Sequence, residues 1–226
     1  LATNSSDSLP QPGRDGVTTA SRKGDLSRQR ILDAALVEFG KSGFRSATTR
    51  AIAARANTTL PPLKYYFGSK EGLYRACAEE IVARYARATA PAVEGAQQTI
   101  GDAETARAAL KELMRASVEF ILGNEAYALG NGIIARELAE PGPAFDIFYD
   151  RLWLPGIERN ARLISRIKSE PAISEESRLQ AILIVSSIPS FQTRRLVAQR
   201  AMAWQDIGDA ERQRLTDVLH QQIDRM

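Results

Sequence analysis

The chain has one cysteine, one histidine, three methionines and two tryptophans among 226 residues. A lone Cys77 closes no disulfide within the chain, and no other thiol or imidazole clusters with it as a metal site. Its place in the pattern Leu73, Cys77, Ile81 favours a buried, inert thiol over a redox switch. With only His220, no zinc-ligand cluster, nucleophile–base set or glycine-rich phosphate cradle is present, so no catalytic residue, metal ligand or cofactor is expected. His220 falls near the end of the chain on a helix, either exposed or at a subunit seam. Long apolar runs are missing too: nothing approaches the roughly 18 residues that a membrane span needs. The first residues lack the apolar core of a secretory signal. The expectation is a cytoplasmic protein with no membrane partner and no enzymatic activity. Neither alternating strands nor internal repeats are found.

Charge is distributed unevenly. Residues 22–75 hold eleven basic and four acidic residues, a net +7, whereas residues 76–226 hold 18 basic and 21 acidic residues, a net −3. The whole chain carries only +3. A basic quarter beside a mildly acidic remainder suits a polyanion-binding head on a neutral body, although a merely solvated basic face would look the same.

Residues 1–24 are rich in Ser, Thr, Gly, Pro and Asp and read as a disordered tail. Ile31, Leu32, Ala35, Leu36 and Phe39 then form an apolar stripe, predicting a helix over about 26–41 that ends at Ser42-Gly43. Thr48 is placed to cap a short helix to Ala56. Asn57 follows, a residue that tolerates positive φ. Thr59 is placed to cap a third helix, with Pro61 and Pro62 in its first turn, where a missing N–H costs little. Gly68-Ser69 closes that helix and opens a fourth through Leu73, Cys77, Ile81 and Tyr85. Further helices are predicted over about 103–122, 126–139, 144–168, 174–201 and 208–224. Pro155-Gly156 and Pro189 are expected to kink or split the helices that contain them.

Two short helices joined by a tight turn in a basic region make a helix-turn-helix, whose second helix enters the major groove of DNA. The runs Arg30-Ile31-Leu32-Asp33-Ala34-Ala35, Phe39 and Gly43-Phe44 stand in order before Thr48-Thr49-Arg50-Ala51-Ile52-Ala53. After these comes Leu63-Lys64-Tyr65-Tyr66-Phe67-Gly68-Ser69-Lys70-Glu71-Gly72-Leu73. Over about residues 26–75 this resembles the DNA-binding domain of the TetR/AcrR family of transcriptional regulators. The departures are local. Asn57 stands where the family usually has Gly, Thr58 replaces a usual Val, Pro61 and Pro62 stiffen the helix start, and Lys64 replaces a common aromatic.

The resemblance implies an all-α, TetR-like fold with a three-helix DNA-binding domain and a helical ligand-binding and dimerisation domain. The divisions expected are a tail over 1–24, the DNA-binding domain over 25–72 and the body over 73–226. Thr48, Tyr66 and Lys70 match family positions that hold phosphates, and phosphate contacts fix register without reading sequence. Lys70 also opens a helix, where amides and dipole favour an anion. Thr59, Leu60, Pro62, Lys64 and Tyr65 are the candidate base-facing residues, with Lys64 suited to guanine O6 or N7. Arg50 suits either backbone or base. Tyr65, Tyr66, Phe67 and Tyr74 read also as core aromatics, Phe67 foremost and Tyr66 least, since Tyr66 neighbours Lys64 and Lys70 in a basic helix end. Arg22-Lys23 reads either as a minor-groove arm or as part of a plain tail.

The C-terminal part, from Ser190-Phe191 through Arg194-Arg195 to Trp204, with Gln213-Arg214-Leu215 and Val218-Leu219, looks like the C-terminal domain of the CecR-type subgroup. Leu179, Ile182, Leu183, Ser186 and Ile188 on one helix, and Leu215, Val218, Leu219 and Ile223 on another, suit a two-fold four-helix bundle. The dimer face is accordingly assigned to Leu179, Ile182, Ser186, Leu215 and Leu219, the alternative being packing within one subunit. For a small-molecule effector, Phe120, Tyr127, Phe148, Trp153 and Phe191 are candidate walls, with Asn124 and Arg136 as polar fixtures. Each aromatic reads also as plain core, and Arg136-Glu137 as an ordinary ion pair. The implied whole is a homodimeric repressor on palindromic, double-stranded operator DNA, released by a mostly apolar effector that meets Arg136 through any negative group.

Overall fold

The computed structural model describes residues 16–98, 102–123 and 125–226, with the side chains of 16–23, 98, 125–127 and 129 outside the description. Among the described residues every regular element is helical. In chain order these are α1 (Gly16–Ser46), α2 (Thr49–Arg55), α3 (Leu60–Phe67), α4 (Lys70–Gln98), α5 (Ala103–Gly123) and α6 (Glu125–Ala139). Next come α7 (Phe145–Phe148), a π-helical turn (Tyr149–Trp153), α8 (Leu154–Ile167), α9 (Glu175–Thr193), α10 (Arg195–Met202) and α11 (Asp209–Asp224).

The first helix starts at Gly16, ahead of the expected residue 26, so part of the expected tail is helical; residues 1–15 lie outside the described residues. Its stripe of Ile31, Leu32, Ala35, Leu36 and Phe39 is fully buried. Gly43 breaks it with φ 73°, a left-handed value that costs a glycine little. The Thr48 hydroxyl then accepts the Ala51 N–H at 3.1 Å and caps α2. Ile52 and Ala53 face inward. Asn57 turns the chain at φ 49°, and the Thr58 N–H returns to the Ala53 carbonyl at 3.0 Å. Thr59 occupies the cap position of α3, but its side chain makes no capping bond; the Pro61-Pro62 pair leaves fewer N–H groups there to cap. Gly68 at φ 71° closes α3, and Ser69 Oγ accepts the Gly72 N–H at 2.9 Å to open α4. The expected division between residues 72 and 73 falls in the first turn of α4, so head and body share that helix.

In the body, α5 is the central rod. It packs against α4, α6, α8, α9 and α11 and buries Leu110, Leu113, Met114, Val118 and Phe120 among others. The predicted helix over 144–168 forms as one run, but Pro155 does not split it. A π turn precedes the proline instead, and α8 starts at Leu154 with Pro155 in its first turn, where no N–H is needed. The helix predicted over 174–201 passes Pro189 and divides at Arg194, giving α9 and α10.

Head and body meet where α1 and α4 pack on α6. A Cβ at Gly132 would lie 2.2 Å from the Gly40 carbonyl oxygen, so the α1 and α6 backbones touch there. Beside this contact Arg136 Nη2 donates to the Lys41 carbonyl at 2.7 Å and to the Gly40 carbonyl at 3.4 Å, serving acceptors left open at the break in α1. Glu137 is buried and does not pair with Arg136. It accepts the Tyr74 hydroxyl at 2.8 Å and the Gly142 N–H at 2.9 Å. Burial and the Glu137 carboxylate both push the Tyr74 phenol up, which keeps it a donor. Phe39 and Phe44 flank the Tyr74 ring at centroid distances of 4.9 and 5.0 Å. Arg84 of α4 reaches Asp33 of α1 and Glu80 of its own helix, each at 2.7 Å.

The joint and the turn can each be probed by one substitution. Gly132→Ala forces a methyl into a backbone contact, and overpacking outweighs the alanine's better helix propensity; urea unfolding should show a net loss of about 1–3 kcal/mol. An unchanged midpoint would mean that α1 and α6 separate at no cost. Asn57→Ala places an ordinary residue in the left-handed region and should lose about 1 kcal/mol in the same assay, while Asn57→Gly should not. Equal losses from both would show that the turn does not depend on φ at this residue.

Candidate functional site

The three N-terminal helices present one polar face. Thr48, Arg50, Thr59, Leu60, Lys64 and Tyr65 are all exposed, and Pro62, Tyr66 and Lys70 are half-buried. Leu63 anchors α3 from beneath, being 4% exposed, while Tyr65 on the opposite side is 83% exposed. Tyr65 is therefore a surface aromatic. Phe67 is half-buried, with the Arg28 guanidinium 5.2 Å from its ring centroid. Tyr66 packs edge-on to Tyr65 at 5.1 Å, and its hydroxyl lies toward Gly24 of α1. Tyr74 is core.

The cations of this region separate into tied and available ones. Arg55 pairs with Glu38 at 2.6 Å, Arg45 with Glu140 at 2.9 Å and Arg75 with Glu71 at 2.9 Å. Among the described residues Arg50 and Lys64 have no carboxylate partner. Lys70 opens α4 but is engaged locally: Nζ donates to the Arg45 carbonyl at 3.1 Å and sits 5.0 Å from the Phe44 ring centroid. Neutral partners leave its charge uncompensated. The surface that results is an exposed short helix bearing an unpaired lysine and a tyrosine, flanked by an unpaired arginine and a helix start. It can dock to phosphates and reach an edge of a base.

The body contains a cavity of about 290 Å³ between α4 and the π turn with α8. Val82, Tyr85 and Val93 form one wall, and Leu152, Gly156 and Arg159 the other. Tyr85 is fixed by a 3.0 Å contact with Ser117 Oγ; since Ser117 donates to the Leu113 carbonyl at 2.8 Å, the tyrosine is the donor. Thr89, also in the wall, is buried and donates to the Tyr85 carbonyl at 2.9 Å. Arg159 Nε is fully buried without a hydrogen-bond partner. Burial pulls its guanidinium below the usual range, with Tyr85 acting weakly the other way.

This cavity does not use the residues expected from sequence. Phe120 is core, its ring 5.5 Å from Tyr85. Phe148 is fully buried, with the Trp153 ring tilted beside it at a centroid distance of 5.6 Å. Phe191 is half-buried against the core. Arg136 belongs to the joint with α1, because the open carbonyls at Gly40 and Lys41 lie within its reach. Asn124 and the side chain of Tyr127 lie outside the described residues. Arg159 is not among the residues expected from sequence, yet a signal exists. Pro155, Gly156, Arg162 and Leu163 occupy its helical neighbour positions, so no carboxylate is placed to pair with it.

On the expected dimer face, Leu179, Ile182 and Ser186 of α9 are exposed and Leu215 of α11 is half-buried. Leu219 faces the other way: it is 9% exposed, on the helix that packs against α5 of its own chain, and Val218 holds the exposed position at 52%. His220 also faces inward, its Nε2 3.1 Å from the Lys111 carbonyl of α5. Cys77 is buried, and burial pushes its thiol up, away from the reactive thiolate. No helix of the described residues is long and apolar enough to cross a membrane.

Residues 31–77 match the family described as bacterial regulatory proteins, tetR family. Residues 106–226 match the C-terminal domain of the HTH-type transcriptional dual regulator CecR. The CecR protein of Shigella flexneri is 33% identical over 147 residues, covering 63% of this chain and 65% of that protein, so the match spans a little under two thirds of the relative's length. In fold, the chain is similar to a TetR-like transcriptional regulator from Rhodococcus sp. RHA1, with TM-score 0.64, 24% identity and coverage of 88% of this chain and 94% of that one. It is also similar to a putative fatty acid metabolism regulator of Clostridium perfringens, with TM-score 0.64, 18% identity and coverage of 85% and 97%. The N-terminal match to the tetR family lies on the helix-turn-helix, and the CecR-type match covers more than half of the chain beyond it, so this protein belongs to the TetR family of bacterial regulatory proteins.

Proposed function

We propose that this protein is a cytoplasmic, sequence-specific DNA-binding repressor that grips a palindromic operator as a homodimer and is released by a small effector bound in the body. The observation that carries the reading is α3. It is held from below by Leu63 and displays Lys64 and Tyr65 to solvent beside the unpaired Arg50. A helix that served only packing gains nothing by exposing an aromatic and a lysine without a carboxylate partner. The curated relatives are named as transcriptional regulators, among them a repressor, NicS of Pseudomonas putida. The reading assigns no turnover to this chain.

In this reading Thr48, Tyr66 and Lys70 hold phosphates, and Thr59, Leu60, Pro62, Lys64 and Tyr65 face bases, with Arg50 at the border. Lys70 exchanges its bond to the Arg45 carbonyl for a phosphate oxygen, a stronger charge-assisted partner. The second copy docks on α9, where Leu179, Ile182 and Leu183 are 54%, 41% and 71% exposed and recur with Ser186 at helical spacing. Two copies about a two-fold axis present two recognition helices to half-sites about one DNA turn apart.

The test begins with selection of genomic fragments on the purified protein. On the selected fragment, Lys64→Ala should lose about 1–3 kcal/mol for the favoured base and relax preference at one position per half-site. Lys70→Ala should weaken all sequences alike and reduce the salt slope by about one unit. Failure to enrich any fragment rejects the reading, and exchanged behaviour of the two variants reverses the roles of the lysines. For the assembly, Leu183→Glu should turn the dimer into a monomer by sedimentation while leaving the helical circular dichroism intact. A dimer unaffected by that charge would move the interface away from α9.

A further inference from the structure

We infer that the cavity between α4 and α8 binds an amphipathic organic anion, a carboxylate or sulfonate on an apolar body, with Arg159 as its counter-ion. The inference rests on the effector reading above and names the chemistry of that effector.

The physical problem is Arg159. A guanidinium half out of water with a buried, unbonded Nε is costly unless something pairs with it. Among the described residues no carboxylate forms an ion pair with Arg159. The hydroxyl of Tyr85, in the same cavity wall, is already committed to Ser117. The other charged groups at the cavity are Arg151 and Glu94, both exposed. Arg151 reaches Glu79 at 3.5 Å and so is partly neutralised. Glu94 stands nine residues beyond Tyr85 on α4, about 13 Å along the helix, and remains in solvent. The deep charge of the cavity is therefore positive, and its own chain does not neutralise it.

The remaining walls are mostly apolar, apart from the exposed Gln97. Val82, Val93, Leu152 and Pro155 offer no hydrogen bond from their side chains, and the buried Thr89 hydroxyl is spent on the Tyr85 carbonyl. A site with one half-buried, unpaired cation among mostly apolar walls selects a ligand with one anionic end and an apolar remainder. Its volume of about 290 Å³ suits a body the size of a single ring with a short chain. Gly156 keeps the space open: a Cβ built there meets no atom within 4 Å.

The experiment uses 4-phenylbutanoate and its uncharged counterpart 4-phenylbutanol, with the full chain and titration calorimetry. Wild type should bind the carboxylate about tenfold or more tightly than the alcohol. Arg159→Gln should remove that discrimination while keeping weak binding of both, and its thermal midpoint should not fall, since no partner within the chain is lost. Gly156→Leu should fill the cavity and abolish binding of both without unfolding the protein. Equal binding of the two probes by wild type, discrimination that survives Arg159→Gln, or binding that survives Gly156→Leu each overturns the inference. So does failure of wild type to bind the carboxylate. An Arg159→Gln protein that unfolds early yet still discriminates assigns the arginine to the scaffold. Binding to the selected DNA fragment is measured separately. Carboxylate discrimination in a protein that binds no DNA sinks the regulatory reading and leaves this site standing; the reverse result removes the site alone.

Discussion

The contact between α1 and α6 governs the rest of the architecture. Two backbones touch at Gly40 and Gly132, and the open carbonyls beside that contact are taken by Arg136. Glu137, one residue further on, is buried with both oxygens occupied, one by Tyr74 from α4 and one by the Gly142 amide. Three separate stretches of chain, from α1, α4 and the segment at Gly142, thus converge on residues 132–137 of α6. A buried carboxylate is tolerated only when its lone pairs are served, so the contact has one good arrangement and resists sliding. The helix-turn-helix hangs from this joint on one side and α5 stands behind α4 on the other. Helix α4 is thus held to α6 at Tyr74, close to the head, and runs on past the cavity at Tyr85.

The two halves differ in how much of them was legible in the sequence. In the head the signals are local. Thr48, Asn57, Gly68 and Ser69 each fix a cap or turn through bonds to residues at most five positions away, and the apolar stripe of α1 has one partner surface to find. Spacing alone captures such features. Face assignment in the body is less forgiving. Leu219 and Val218 differ by one position and about 100° around α11, and a stripe of apolar residues does not say which edge of it meets α5 and which meets solvent.

The same limit applies to the cavity. Phe120, Phe148, Trp153 and Phe191 are aromatic whether they fill a core or line a void, and here the first two lie in the core and the other two pack against it half-buried. Arg136 and Arg159 are alike as residue types. One finds acceptors contributed by a helix almost a hundred residues earlier, and the other finds none. Only the arrangement in space distinguishes them. The signals present in the sequence were indirect: a proline–glycine pair at the start of α8 and no acid at helical spacing from Arg159. The proline did not split the helix as expected, because the chain absorbed it by widening one turn before it.

That widened turn has a consequence for how the wall of the cavity is inherited. A π turn is an α-helix carrying one surplus residue that the wider turn absorbs, so α8 beyond it keeps the heading it would have without that residue. Loss of a single codon between Tyr149 and Trp153 would tighten the turn and leave Gly156 and Arg159 facing the wall. A codon lost between Gly156 and Arg159 has no wide turn to absorb it, and would swing Arg159 and the rest of α8 by about 100°. The wall thus tolerates a change of residue count ahead of α8 and not within it.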